Sequence, residues 1–227
     1  MPDSASDTPF ANKPWRDLVE KQLSDYCDSV TSNEPPVCRR IRERAKQHPR
    51  GHWTTGPHIA TLLKLLVAMS GARRVLELGT FFGYSAAYMA SAHPDVHVTT
   101  LEFNADNARE ARALLANSRV ASRVDVVQTD AATWLRAHPR EEFDLVFFDA
   151  TRRFLMEIYE PLLRTVRPGG VLVMDNSFVN GGVLSPSAPR EIATVEFNAR
   201  LKQEPGFLTT LLPVRDGILV AHRMRGA

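Results

Sequence analysis

Short apolar, β-branched runs alternate with segments of helical periodicity along most of the chain. Five such runs are predicted to be strands: Arg74–Leu78, His97–Glu102, Val124–Gln128, Phe143–Asp149 and Val171–Asp175. The segments between them predict helices at Tyr84–Ala92, Ala105–Asn117, Ala131–Ala137 and Phe154–Val166. Strands that alternate with helices predict an α/β fold with a doubly wound, mostly parallel sheet.

The last part of the chain follows a different pattern. A predicted helix at Arg190–Gln203 precedes two apolar runs, Phe207–Val214 and Gly217–Arg223, which are joined through Arg215-Asp216-Gly217. Asp-Gly between two apolar runs is typical of a β-hairpin. The last two strands are therefore expected to be antiparallel neighbours added to the parallel sheet.

The N-terminal part divides into two predicted regions. Residues 1–14 are polar and rich in proline, which predicts a disordered leader, and residues 15–55 predict a helical arm with a loop on the substrate side. The arm carries a helix at Trp15–Val30 and a second helix with a basic face, formed by Arg39, Arg40, Arg42, Arg44 and Lys46. That face is interpreted as a solvated helix surface, with a patch for phosphate or an acidic partner as the alternative. An amphipathic helix at Ile59–Met69 lies near the start of the main domain, residues 56–227.

Composition narrows the class of protein. The 227 residues are 44% hydrophobic and 24% charged, as in globular proteins, and 28 basic residues against 26 acidic ones leave a net charge of +2. This balance does not favour a nucleic-acid partner. The two cysteines, Cys27 and Cys38, are expected to be reduced thiols in the cytoplasm. A polar N-terminus and the lack of an apolar run of 18 residues argue against secretion and against a membrane partner.

A glycine loop follows the first predicted strand and is the first candidate site. Its sequence is Gly79-Thr80-Phe81-Phe82-Gly83. A dinucleotide loop needs G-x-G-x-x-G, whose middle glycine lets the backbone approach a pyrophosphate. Here Phe81 occupies that middle position and no third glycine follows Gly83. Pyrophosphate binding, and with it a nicotinamide-dependent dehydrogenase, is therefore disfavoured.

Acidic residues at the strand ends suggest an adenosyl ligand with an ammonium group. Glu77 can accept from the ammonium, and Gly79 lets the backbone approach the amino-acid moiety. Glu102 closes the second strand, where a carboxylate can accept from both ribose hydroxyls. Asp130, just after the third strand, lies beside the adenine in this arrangement; it is also a good helix N-cap, and both roles are compatible.

From about Gly56 to Arg223 the chain resembles the class I S-adenosylmethionine-dependent O-methyltransferases of the catechol and caffeoyl-CoA type. The resemblance rests on V-L-E-L-G-x-x-x-G-Y-S at 75–85, Asp130-Ala131, Phe148-Asp149-Ala150, Asp175-Asn176 with Asn180-Gly181, and L-P-V-x-D-G at 212–217. It implies seven strands in the order 3-2-1-4-5-7-6 with the last antiparallel, and a homodimer. It also implies cofactor contacts from Glu77, Gly79, Thr80, Gly83, Ser85, Glu102, Asp130, Ala131 and Asp149.

A second candidate site lies where the fourth and fifth strands end. Asp149 closes one strand and Asp175-Asn176 closes the next, so adjacent parallel strands bring these side chains together. Hard oxygen donors with open positions suit Mg²⁺, and the resemblance implies Asp149, Asp175 and Asn176 as metal ligands. A divalent cation there lowers the pKa of an acceptor hydroxyl. The alternative is that Asp175 and Asn176 only cap a turn.

The chain departs from this family after the fourth strand. The caffeoyl-CoA type has D-A-D-K there, whereas this chain has Asp149-Ala150-Thr151-Arg152. Arginine stays protonated, so Arg152 is a poor general base; with Asp149 it is predicted to act in catalysis by stabilising an oxyanion or holding a substrate carboxylate. The alternative is that Arg152 points to solvent beside Arg153. These changes argue against a catechol or plant-type phenylpropanoid substrate.

The sequence therefore predicts an S-adenosylmethionine- and Mg²⁺-dependent O-methyltransferase. The expected acceptor is a hydroxylated small molecule, in bacterial secondary metabolism. One alternative is O-methylation of a hydroxyacyl group on a carrier protein in polyketide biosynthesis, where the basic helix could meet an acidic carrier. Another is a methyltransferase-like binding protein that has lost activity.

Overall fold

The computed structural model describes residues 22–23, 25–27 and 29–226. The predicted leader, residues 1–14, and the first residues of the predicted helix Trp15–Val30 lie outside the described residues. The described residues between 22 and 30 are helical.

The described residues form an α/β structure with one sheet. The helices are α1 Pro36–Lys46, α2 Pro57–Ser70, α3 Tyr84–Ala90, α4 Ala105–Ala116, α5 Ala131–Ala137, α6 Tyr159–Thr165 and α7 Pro189–Gln203. The strands are β1 Arg74–Leu78, β2 His97–Glu102, β3 Val124–Gln128, β4 Phe143–Phe148, β5 Val166–Met174, β6 Phe207–Leu212 and β7 Ile218–Arg223. Their order is β3-β2-β1-β4-β5-β7-β6, and β7 runs antiparallel to both β5 and β6. The predicted fold class and strand order are confirmed.

Two apolar layers cover the sheet, one on each face. Residues of α1 to α4 pack on one face against Leu145 and Phe147 of β4, and residues of α5 to α7 pack on the other face against Val146 and Phe148. These four β4 side chains are fully buried. A strand that is buried on both faces is typically a continuous apolar run, and Phe143–Phe148 is nearly all apolar.

The region between β4 and β5 differs from the prediction. The helix predicted at Phe154–Val166 is shorter, with a single 3₁₀ turn at Arg152–Phe154 before α6, and β5 begins at Val166 instead of Val171. Val166 pairs with Phe143, after which the register between β4 and β5 shifts. Pro168-Gly169-Gly170 resembles a turn in sequence, but here it forms an irregular part of a strand, with φ of 82° at Gly169.

Helix α1 is attached to the body through Glu34, which accepts from the Tyr84 hydroxyl (2.6 Å) and from Arg42 (2.9 Å). Other members of the predicted basic face also have partners in the chain: Arg44 pairs with Glu110 (2.7 Å) and Lys46 with Glu43 (2.8 Å). These contacts favour the interpretation of this face as a solvated helix surface over that of a patch for phosphate or an acidic partner. Across the described part of the chain, no helix is long and apolar enough to cross a membrane.

Candidate functional site

The glycine loop turns sharply between β1 and α3. Gly79 has φ of 102°, and a Cβ there would lie 2.1 Å from the main-chain oxygen of Asp149. No side chain fits that gap. Gly83, with φ of 81°, is the N-cap of α3. Both glycines are therefore required by the backbone, and Gly79 brings the end of β1 directly against the end of β4.

Glu77 is fully buried beside this loop. The Thr100 hydroxyl donates to its Oε2 atom (2.5 Å), and the Thr80 and Thr100 hydroxyls lie 2.6 Å apart. Among the described residues, the buried Oε1 atom has no hydrogen-bond partner, although Ser85 is near enough to favour the charged carboxylate. Burial raises the pKa of Glu77 to about 8, although the hydroxyl groups of Ser85 and Thr100 favour the charged form and oppose this shift. The hydrogen bonding of one oxygen of this buried carboxylate is thus incomplete among the described residues.

Glu102 is held by backbone N–H groups at the end of β2. Its Oε2 accepts from Phe81 N and its Oε1 from Asn104 N, each at 2.8 Å. Phe81 has φ of 48°, a left-handed conformation that is rare for a bulky residue. The N–H group that a phosphate loop would offer to its ligand is here used by Glu102. This contact gives a structural reason for the predicted exclusion of pyrophosphate.

Asp130 caps helix α5. Its side chain accepts from the backbone N–H of Thr133 (2.9 Å) and from the Thr133 hydroxyl (3.0 Å), and Ala131 is the first residue of the helix. The structural role considered for Asp130 is therefore present. A contact of Asp130 and Ala131 with an adenine ring stays a prediction.

The structure brings the three predicted metal ligands together. Asp149 follows β4 and Asp175 follows β5; the Asn176 side-chain amide donates to Asp149 Oδ1 (3.4 Å), and Asn176 N donates to Asp175 Oδ1 (2.6 Å). Burial raises the pKa of both aspartates, and Asp175 adds to this effect at Asp149. We call Asp149, Asp175 and Asn176 the acidic edge.

The donor chemistry of the acidic edge fits a hard divalent cation. Two carboxylates and an amide oxygen are ligands that Mg²⁺ accepts, with the remaining positions left to water or substrate. The described residues contain no group of three or more His, Cys, Asp or Glu side chains that could hold a metal ion. A third oxygen ligand at this edge would have to come from the Asn176 amide, whose nitrogen is the atom that faces Asp149.

Arg152 lies against the acidic edge, not in solvent. Its guanidinium donates to the main-chain oxygen of Asp175, and its buried Nε atom has no partner among the residues described. Burial lowers the pKa of Arg152, while Asp149 and Asp175 oppose this shift. The alternative in which Arg152 points to solvent beside Arg153 is wrong, because the acidic groups attract the guanidinium inward.

Comparison with known proteins agrees with this geometry. The model of the O-methyltransferase family matches residues 28–224. The chain belongs to the O-methyltransferase family. A probable caffeoyl-CoA O-methyltransferase of Arabidopsis thaliana is 28% identical over 222 residues, covering 91% of this chain and 96% of that protein. Tricin synthase 1 of Oryza sativa subsp. japonica is 30% identical over 225 residues, covering 92% of this chain and 88% of that protein.

A solved structure gives the same result. The O-methyltransferase TomG of Streptomyces achromogenes, involved in tomaymycin synthesis and solved in complex with S-adenosylmethionine, matches with a TM-score of 0.80 and 28% identity. The match covers 89% of this chain and 96% of that one. The predicted resemblance and the predicted class of enzyme, an S-adenosylmethionine-dependent O-methyltransferase, are confirmed at the level of the family.

Several residues at the site of this O-methyltransferase were not predicted. Thr100 pairs with Glu77 across the neighbouring strands β2 and β1. Its hydroxyl, in a predicted strand beside that of Glu77, could have indicated a polar partner for the carboxylate. The buried Thr55 accepts, through its main-chain oxygen, a hydrogen bond from Arg215, 160 residues further along the chain. No sequence pattern links these two loop residues.

An aromatic group lies beside the glycine loop of the O-methyltransferase. The rings of Phe81 and Phe82 stack with centroids 4.1 Å apart, and His48 meets both rings edge-on, at 5.5 and 5.4 Å. Trp53 lies 6.1 Å from Phe81 and is 51% exposed. Trp53 in the loop before α2 and the rings of Phe81 and Phe82 therefore form an aromatic surface at the turn between β1 and α3.

Proposed function

We propose that this O-methyltransferase transfers a methyl group from S-adenosylmethionine to a hydroxyl group of a small molecule. The observation that carries the proposal is the buried Glu77 carboxylate, whose Oε1 has no hydrogen-bond partner in the described part of the chain. A buried acceptor without a partner is costly unless a ligand donates to it. The ammonium group of the cofactor supplies such a donor, and the charge of the pair is compensated.

The remaining cofactor contacts are assigned to residues around this carboxylate. Glu102 is oriented by two N–H groups and would accept from the ribose hydroxyls. The other residues proposed to contact the cofactor are Gly79, Thr80, Gly83, Ser85, Asp130, Ala131 and Asp149. The TomG structure with bound S-adenosylmethionine supports this assignment, since the two chains share a fold at 28% identity.

A divalent cation, Mg²⁺ by the chemistry of its donors, is proposed at Asp149, Asp175 and Asn176. When bound, it would lower the pKa of the acceptor hydroxyl. Arg152 cannot serve as a base, because its guanidinium remains protonated. Its positive charge at the acidic edge is suited to stabilising a developing oxyanion or to holding a carboxylate of the acceptor, and we propose the second role for anionic acceptors.

The acceptor is proposed to be a hydroxylated small molecule of bacterial secondary metabolism. The relatives named caffeoyl-CoA O-methyltransferase support a small hydroxylated acceptor, while Thr151 and Arg152 set this chain apart from them. A carrier-bound hydroxyacyl group is the second candidate, but the pairing of Arg42, Arg44 and Lys46 within the chain leaves less charge for an acidic carrier. A cytoplasmic homodimer remains part of the proposal.

Calorimetric titration with S-adenosylmethionine tests the cofactor assignment. We expect saturable binding by the wild type and binding weaker by about 1.5–3 kcal/mol in Glu102→Ala, the scale of a hydrogen bond to a charged group. Asp125→Ala on the exposed end of β3 is a matched control and should bind normally. No measurable binding by the folded wild-type protein would refute the cofactor assignment.

A screen of hydroxylated acceptors with and without Mg²⁺ follows. We expect turnover to be lost on chelation and restored by Mg²⁺, because the donors at the acidic edge are hard oxygens. Turnover that is unchanged after exhaustive chelation would refute the metal assignment while leaving methyl transfer intact.

A further inference from the structure

Arg215 has a backbone conformation that its residue type disfavours. It lies in the turn between β6 and β7 with φ of 51°, followed by Asp216 and then Gly217 at φ of 82°. Left-handed conformations favour glycine or asparagine, and a long side chain there is strained. Strained residues persist where the surrounding contacts hold them, and such positions cluster at functional sites.

The side chain of Arg215 reaches a distant loop. Its guanidinium donates to the main-chain oxygen of Thr55, just before α2, and a Cβ at the neighbouring Gly56 would lie 3.7 Å from its Nη1 atom. Thr55 is 5% exposed, whereas Arg215 itself is exposed. The guanidinium therefore lies beside the backbone of residues 55–56.

The same turn also holds the segment after β5. Asp216 accepts from Phe178 N through its main-chain oxygen and from Asn180 N through Oδ1, both at 2.7 Å, and Gly217 O accepts from Ser177 N (2.8 Å). Ser177 directly follows the acidic edge. The turn thus links the loop before α2, the segment after β5 and the acidic edge.

We propose that Arg215 is a positioning residue that fastens the loop of residues 51–56 over the acidic edge and so shapes the acceptor pocket. The loop carries Trp53, whose indole contacts Phe81 and lies under the Arg50 guanidinium (4.8 Å). Fastening the loop keeps Trp53 against Phe81, beside the turn between β1 and α3. This proposal rests on the proposed function, because the pocket it shapes is that of the methyl acceptor.

The variant Arg215→Gly distinguishes a role of Arg215 in positioning the loop of residues 51–56 from a role in folding. Glycine suits the positive φ and removes the guanidinium, so the thermal midpoint should stay within about 3 °C of the wild type or rise. The amides of Trp53 and Thr54, which donate to Arg50 and Gly51, should exchange at least about tenfold faster. With an acceptor from the screen, KM should rise about tenfold or more with a smaller change in kcat, while cofactor affinity stays within about twofold.

Arg215→Lys keeps the charge but loses the planar fork of donors, and it should show an intermediate exchange rate. Arg223→Lys is the matched control, because Arg223 also donates to a main-chain oxygen, that of Val166 (2.7 Å), but lies outside the site. It should leave exchange of residues 51–56 unchanged. If Arg215→Gly did not fold, the comparison of Arg215→Lys with Arg223→Lys would test the proposal instead.

Unchanged exchange at Trp53 and Thr54 in both Arg215 variants overturns the proposal, as does an unchanged acceptor KM. The exchange measurement needs neither cofactor nor acceptor. A wild-type protein that binds no S-adenosylmethionine would therefore refute the proposed function, and the exchange rates would still show whether Arg215 fastens the loop.

Discussion

At the scale of single residues, the proposed contact of Glu77 with the cofactor would link binding to pH. Its pKa is raised to about 8 by burial, so the carboxyl group is mostly protonated at pH 7 without ligand. Pairing with the cofactor ammonium requires the charged form. If Glu77 holds the ammonium as proposed, binding releases a proton below about pH 8.

We expect the affinity for S-adenosylmethionine to rise with pH between 6 and 7.5, by up to about tenfold per unit. Above about pH 8 the rise should stop, because the ligand's own α-amino group then loses its proton. Calorimetry in buffers of different ionisation enthalpy measures the proton released. Glu77→Gln should bind more weakly and without this pH dependence; a wild-type affinity that is flat from pH 6 to 7.5 would contradict the assignment.

The raised pKa of Glu77 also makes the stability of the folded protein depend on pH. The folded-state pKa of Glu77 lies above its ordinary value, so the folded state binds the extra proton and loses stability as pH rises through about 8. Glu77→Gln removes this loss. The unliganded variant should therefore gain thermal stability over the wild type more at pH 8 than at pH 5.

Arg152 provides a second prediction at this scale. Arg152→Met keeps the length of the side chain and deletes its charge, so with an anionic acceptor we expect a loss of about 3 kcal/mol, roughly 100-fold in kcat/KM. Arg152→Lys should recover part of this loss, since it restores the charge without two parallel donors. Arg153→Met is the control, because Arg153 is exposed and lies over the Phe154 ring. Equal kcat/KM in the wild type and Arg152→Met would remove Arg152 from the mechanism.

At the scale of elements, the turn after β1 is fixed by contact between two strands. A Cβ at Gly79 would lie 2.1 Å from Asp149 O, whereas one at Gly71, with φ of 67°, would meet nothing within 4 Å. Gly71→Ala should therefore cost only the left-handed conformation, about 1 kcal/mol in the free energy of unfolding.

Gly79→Ala should cost more than about 2 kcal/mol, because the backbone of β4 must also move. Urea unfolding of the two variants gives the comparison. Similar losses for both would mean that the close approach of β1 and β4 is easily relaxed.

The elements also show what the sequence could and could not predict. β1, β2 and β3 have the predicted bounds, since each is a short apolar run between clear turn signals. The predicted start of β5 was wrong, because Pro168-Gly169-Gly170 places turn residues inside a strand. Within the site, residues at strand ends such as Glu77 and Asp149 followed from topology, because parallel strands end at one edge. The contact of Thr55 with Arg215 joins two loops, and neither periodicity nor spacing encodes it.

At the scale of the whole molecule, the residues proposed for the cofactor and for the metal lie on both sides of the junction between β1 and β4, and Asp149 belongs to both sets. Glu77 and Glu102 belong to β1 and β2, whereas Asp149 and Asp175 follow β4 and β5. The strand order reverses between β1 and β4. Ligands of open α/β sheets bind at this switch point, at the carboxyl ends of the strands. The cofactor and acceptor are therefore expected to meet where Gly79 touches Asp149.

The hydrogen bond from Phe81 N to Glu102 also bears on how such a loop can evolve. A chain moving towards pyrophosphate ligands would need a glycine at position 81, so that the backbone could approach the ligand. The carboxylate at 102 could stay, because dinucleotide-binding folds keep an acidic residue at the end of this strand for the ribose. We therefore expect position 81, rather than position 102, to separate the adenosyl-binding and pyrophosphate-binding forms of this turn in evolution.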